Sequence, residues 1–159
     1  MVRTLEGKVP LVGSIILAGG HEVRPGCEPM DRRVIDRAGG MGARVVFLPT
    51  AVAAYDPHGS ILGAVAYFST IGVRAEGVPV LSRDDADRTD FAETVRGAAL
   101  VYLGGGDPTF LLETLRGTAV WQAILDVLAA GGVVGGSSAG AMVLCDWLAA
   151  PPAGQPRPV

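Results

Sequence analysis

Short apolar runs alternate along the chain with longer segments whose apolar residues recur at helical spacing, and glycine or proline marks most of the joins. Ser14-Ile15-Ile16-Leu17-Ala18 reads as a first strand closed by Gly19-Gly20. A polar loop with Pro25, Gly26 and Pro29 leads to a helix from about Asp31 to Ala38, capped by Asp31 and stopped by Gly39-Gly40. Arg44 to Leu48 is a second strand, ended by Pro49. Ser60 to Ile71 reads as an apolar helix with Ile61, Leu62, Val65 and Phe68 on one face. Val78 to Leu81 is a third strand, made a weak or edge strand by Pro79. Asp84 to Val95 is an acidic helix, and Ala98 to Leu103 a fourth strand. Helices over Pro108 to Leu115 and Val120 to Ala130 follow, then a fifth strand at Val133-Val134 and an apolar helix from Met142 to Leu148.

Strands alternating with helices imply an α/β fold: a three-layer sandwich with a mostly parallel sheet flanked by helices and right-handed crossovers. A composition that is 49% hydrophobic and 18% charged suits a sheet buried on both faces. The length of 159 residues predicts one domain over 1–148. The last residues, 149–159, carry Pro151, Pro152, Pro156 and Pro158 without apolar periodicity and are expected to form a flexible tail.

Net charge of −3 without a basic cluster argues against a nucleic-acid partner. Val9 to Ala18 loosely imitates a secretion signal, but Glu6, Pro10 and the lack of a small-residue cleavage site fit poorly. No stretch approaches membrane-spanning length. The expectation is a cytoplasmic protein. Cys27 and Cys145 form no C-x-x-C pair, so neither metal nor disulfide framework is suggested; Cys145 reads as a core residue.

The stretch with the most chemistry runs from Gly131 to Ala141. A short strand enters a turn of small residues, and an apolar helix follows. That is the context in which G-x-S-x-G works as a nucleophile elbow, here Gly136-Ser137-Ser138-Ala139-Gly140 with Ser138 at the tip. A strained turn requires neighbours without bulk, and the start of the next helix offers unpaired N–H groups to a developing oxyanion.

A second loop, Gly104-Gly105-Gly106-Asp107-Pro108, closes strand four. Asp107 caps the next helix and Pro108 takes its first position. Ligands of open parallel sheets bind beyond the carboxyl ends of the strands, where both this loop and the elbow lie. With strands four and five as neighbours, the N–H groups of Gly106 and Ala139 form a two-donor oxyanion hole at Ser138, and Gly105 and Asp107 line the substrate loop.

These two segments, Gly104 to Leu112 and Gly136 to Ala141, in this order and separation, resemble the peptidase E and cyanophycinase family of serine peptidases. The resemblance covers most of the chain, more weakly before Ala98. It implies a fold similar to class I glutamine amidotransferase domains and to flavodoxin. It implies Ser138 as nucleophile, Gly106 and Ala139 as oxyanion donors, and hydrolysis of small peptides, with known members preferring aspartyl dipeptides or aspartate-containing polymer. Asp107 stands where that family commonly has Asn.

A reactive serine needs a base, normally a histidine oriented by a carboxylate. In the family both follow the serine. Here no histidine follows Ser138, and Asp146 is the sole acid after it, so the chain resembles the front portion of a family member. His21 and His58 follow strands one and two. In a 2-1-3-4-5 order, strand one lies three positions from strand five, roughly 14 Å away at about 4.8 Å per strand, which disfavours His21. Arg24 and Arg83 read as solvated surface groups.

Two other readings stand beside the hydrolase. One is a non-catalytic binding or oligomerisation module, in which a sheet ending at strand five leaves an apolar edge for a homodimer or a partner segment. The other is a flavodoxin-like cofactor binder, supported only by Gly19-Gly20, with G-x-G-x-x-G and Walker spacing absent. No cofactor is expected on the leading reading.

Overall fold

A computed structural model describes residues 12–148, together with the backbone pairing of Val2–Arg3. The proposed tail at 149–159 lies outside the described residues.

Five parallel strands make the main sheet. They are β2 (Ser14–Ala18), β3 (Val45–Leu48), β4 (Ala75–Gly77), β5 (Leu100–Leu103) and β6 (Val133–Ser137). Their spatial order is β2-β6-β5-β3-β4. Two short strands, β1 (Val2–Arg3) and β7 (Trp147–Leu148), pair antiparallel as a separate ribbon. The α/β sandwich expected from the alternation is the observed architecture. Helices α1 (Glu28–Arg37) and α2 (Pro57–Thr70) cover one face, over a core that includes Val45, Phe47, Leu100 and Tyr102. The other face packs Val46, Leu48, Val101 and Leu103 against α4 (Thr89–Arg96), α5 (Pro108–Leu115) and α6 (Ala119–Ala129).

The strand order corrects the sequence reading at a point that matters. Strand one was placed three positions from the elbow strand; β2 is instead the direct neighbour of β6, with Ala18 opposite Ser137. Side-chain patterning explains why. Every residue of β6 is buried, which marks a central strand, whereas β2 alternates and exposes Ile15 and Leu17. The elbow strand therefore does not form the sheet edge; β2 and β4 do.

Several boundaries move for local reasons. Helix α1 begins at Glu28, because Pro29 sits in a first turn that needs no N–H from it. Asp31 is then not a cap: its carboxylate is buried and accepts the Tyr67 hydroxyl at 2.5 Å. Helix α2 begins at Pro57 with Asp56 as cap, Oδ1 accepting from Gly59 N at 2.8 Å. It buries Ala64, Tyr67 and Phe68 and leaves Leu62 exposed. The third strand is Ala75–Gly77 rather than Val78 to Leu81. Val78 N still donates to Phe47 O, but Pro79 has no N–H to continue the ladder.

The acidic stretch forms two helices, α3 (Arg83–Ala86) and α4, since its buried positions Ala86, Ala92 and Val95 do not keep one helical stripe through Asp87 and Arg88. After the elbow, α7 is Ala139–Val143, earlier and shorter than expected. Cys145 lies beyond it and is exposed, not a core residue.

Candidate functional site

The carboxyl ends of β2, β5 and β6 converge on one rim of the sheet. Pairing of β6 with β2 on one side and β5 on the other brings the loop after Ala18, the glycine loop after Leu103 and the turn after Ser137 side by side. Small residues make this approach feasible. A Cβ at Gly140 would lie 2.1 Å from Leu103 O, and one at Gly136 would lie 2.4 Å from the Gly140 backbone. Only hydrogen at these positions lets α7 fold back onto the sheet.

Ser138 stands at the tip of this turn with φ 47° and ψ −111°, a conformation rare for a residue with a side chain. It is exposed, while its neighbour Ser137 is fully buried. The Ser137 hydroxyl has no hydrogen-bond partner among the described residues. The backbone on either side of Ser138 is fixed: its N–H donates to Ala18 O at 2.9 Å, and its carbonyl accepts from Met142 N at 2.9 Å.

The glycine loop lies against the turn. A Cβ at Gly105 would sit 3.3 Å from Ser138 Cβ and 3.5 Å from Ser137 O. Of four consecutive N–H groups in this loop, Gly104 donates to Leu48 O (3.1 Å), Gly105 to Glu22 Oε1 (3.1 Å) and Asp107 to Ala51 O (2.8 Å). Gly106 N–H meets no acceptor among the described residues, and neither does Ala139 N–H, at the start of α7. Gly106 has φ 141°, and a Cβ there would lie 2.3 Å from Ala51 O, so no other residue fits. Asp107 caps α5, its Oδ1 accepting from Thr109 N and Phe110 N at 3.0 Å each.

The remaining sequence candidates separate. His21 is exposed in the loop after β2, on the strand adjacent to the elbow strand, so the separation argued against it does not hold. His58 is exposed in the first turn of α2 rather than in a loop. Arg83 holds the end of α5 through Nη1 bonds to Glu113 O and Arg116 O. Asp146 is exposed beyond α7. Among the described residues, no group of three or more His, Cys, Asp or Glu could hold a metal ion.

Glu22 is the site residue that the sequence did not reveal. Its carboxylate reaches the glycine loop across 83 positions of sequence. The polar run after Gly19-Gly20 is its only signal in the sequence, and the pairing of β2 with β6 is what brings that run to the glycine loop. Within the sheet, the Tyr102 ring packs against Gly135. Burial pushes its phenol well above the ordinary value, and the carboxylates of Asp31 and Glu22 push it further.

Comparison with known proteins adds four likenesses. Residues 15–154 match Peptidase family S51. An uncharacterized peptidase of Listeria innocua is 33% identical over 107 residues, which are 64% of this chain and 47% of the relative. The crystal structure of a peptidase from an acI-B1 Actinobacterium superposes with a TM-score of 0.77 at 34% identity, covering 86% of this chain and 58% of that one. A candidate peptidase E of Listeria monocytogenes EGD-e shares the fold, with a TM-score of 0.63 at 23% identity over 82% of this chain and 60% of that one. The chain thus spans about half the length of the curated relative and about three-fifths of the solved ones.

Proposed function

The chain belongs to peptidase family S51, and from that premise we propose that Ser138 is the nucleophile of a serine-type peptide hydrolase centre. The observation that carries this reading is the backbone of Ser138: an exposed serine at φ 47°, pinned on both sides, against the glycine loop after β5. Strain of this kind persists where surrounding contacts over-determine it, and it clusters at reactive residues.

In this reading the Ser138 hydroxyl oxygen attacks a peptide carbonyl, and its proton passes to a base. The carbonyl oxygen becomes an anion held by the N–H groups of Gly106 and Ala139, neither of which meets an acceptor among the described residues. The tetrahedral species collapses, expels the protonated amine and leaves an acyl group on Ser138, which water then removes. Asp107, spent as a helix cap, supports the loop rather than the substrate. The base is assigned to none of residues 12–148, and small aspartate-containing peptides are the substrates implied by the family.

A peptide boronate tests the centre without requiring turnover. Wild-type protein forms a reversible adduct with a four-coordinate boron signal, and Ser138→Ala does not. A folded wild-type protein that gives no such signal overturns the reading.

A second reading rests on a separate observation. The outer edge of the main sheet, β2, exposes Ile15 and Leu17, with Val12 and Met30 nearby also exposed, beside an open groove of about 760 Å³. This favours a binding or assembly role for the edge, through a second copy or a partner segment pairing with β2. Light scattering that finds only monomer across the accessible concentration range overturns the homodimer.

A further inference from the structure

The loop between β2 and α1 is strained at an unusual place. His21 has φ 61° and Val23 has φ 54°, so two non-glycine residues with positive φ flank Glu22 directly. Such a φ is uncommon for any side chain and an outlier for a β-branched one. The conformation is nevertheless anchored on both sides. Cys27 Sγ donates to His21 O at 3.2 Å, and Val23 packs against the core beneath α1 and α2. The product of this arrangement is the position of one group, the half-buried Glu22 carboxylate, on the Gly105 N–H. A Cβ at Gly105 would meet Glu22 Oε1 at 3.2 Å and Ser138 Cβ at 3.3 Å, so carboxylate and serine flank the same small face.

We infer that Glu22 is a positioning residue for the proposed centre: its carboxylate fixes the Gly105 peptide so that the next N–H, that of Gly106, stays free to serve the substrate oxyanion at Ser138. The pattern along the loop carries this. Gly105 N–H and Asp107 N–H are tied down on either side, to Glu22 and to Ala51, and the donor between them is the one left without an acceptor among the described residues. A glycine triplet has no side chains to hold it, and its backbone would sample many conformations without such clamps. Glu22 would touch no reacting atom; it acts through Gly105. Its hydrogen bond needs an acceptor oxygen, not a charge, so glutamine can replace it through the amide oxygen.

This inference rests on the proposed role of Ser138, and its test separates the two. Glu22→Ala and Glu22→Gln are compared with wild type by peptide-boronate affinity and by amide resonances and hydrogen exchange at Gly105, Gly106 and Ala139. Expected for Glu22→Ala are faster Gly105 exchange, by at least about tenfold, shifted Gly106 and Ala139 amides, and boronate affinity lower by about tenfold or more; Glu22→Gln keeps all three near wild type. If wild type binds no boronate, the nucleophile reading fails, while the amide signals still decide whether Glu22 holds the loop. Unmoved Gly106 and Ala139 amides in Glu22→Ala overturn the inference. So does tighter boronate binding in that variant, which would make the carboxylate a plug on the donors instead of a clamp.

Discussion

Ser138 N–H donates to Ala18 O at 2.9 Å, so the turn that carries the exposed hydroxyl is tied to the strand beside it. The bond continues the β2–β6 ladder one residue past Ser137, and it holds Ser138 in a backbone conformation that a side chain disfavours. The strained residue is paid for by the rigidity of its neighbours. Replacing it by glycine removes the penalty, replacing it by alanine does not, and both remove the hydroxyl. Ser138→Gly is therefore expected to unfold at a higher temperature than Ser138→Ala, by about 2–4 °C per kcal/mol of strain relieved in a chain of this size. Equal melting temperatures in calorimetry would argue against strain at this position.

Glycines of the rim and glycines of the surface should respond in opposite directions to alanine. At Gly140 a methyl group would lie 2.1 Å from the Leu103 carbonyl oxygen, a backbone atom that cannot swing away. Gly140→Ala is expected to cost about 1–3 kcal/mol or more, as overpacking does. Gly63 lies inside α2 with nothing within 4 Å of its Cβ position. Gly63→Ala should stabilise by about 0.5–1 kcal/mol through helix propensity and a less flexible unfolded chain. Urea titrations of the two variants check both signs.

The buried Asp31–Tyr67 pair gives the fold a defined pH dependence. Burial raises the Asp31 pKa above its ordinary value, the Tyr67 hydrogen bond opposes that, and nearby Glu28 adds to it. The folded state therefore holds the Asp31 proton more tightly than the unfolded state does. Its contribution is fully present below the ordinary carboxylate pKa and is lost as pH rises through the raised value. Asp31→Asn keeps an acceptor for Tyr67 and removes the charge, so the stability of the variant relative to wild type should rise across that window. Asp31→Ala leaves the buried hydroxyl unpaired and should cost about 1–3 kcal/mol. Chemical denaturation between pH 3 and pH 7 checks both; a wild-type-minus-Asn difference that does not change with pH would contradict the assignment.

The β2 edge supplies a solubility test. Leu17 is 55% exposed on a strand with an unpaired side among the described residues. Leu17→Lys should change stability by less than about 0.5 kcal/mol, as surface changes do. If the edge binds a second copy, the same substitution should shift sedimentation or light-scattering mass toward the monomer, since an edge lysine blocks strand pairing.

Much of the fold was legible because its signals are local. Asp107-Pro108 marked the start of α5 correctly, since a cap and a proline act within one turn. The turn after β6 was legible for the same reason: Gly136, Ser138 and Gly140 declare a tight strand-to-helix turn wherever the sheet places it. Strand order was not legible, because nothing in Ser14–Ala18 names its partner, and the exposure of Ile15 and Leu17 is visible only once the chain is folded. Glu22 was hidden with it, since a residue on the loop after β2 reaches the glycine loop only when β2 lies beside β6. Pro29 reads as a loop residue in the sequence, yet it sits in the first turn of α1, where proline is best tolerated.

The sharpest test of the central claim is the site of phosphonylation. Folded protein treated with a fluorophosphonate and digested for tandem mass spectrometry should carry one adduct, on Ser138, the exposed serine of the pair. An adduct on Ser137, an adduct on a residue remote from the rim, or a folded protein that takes up no phosphonate would contradict it.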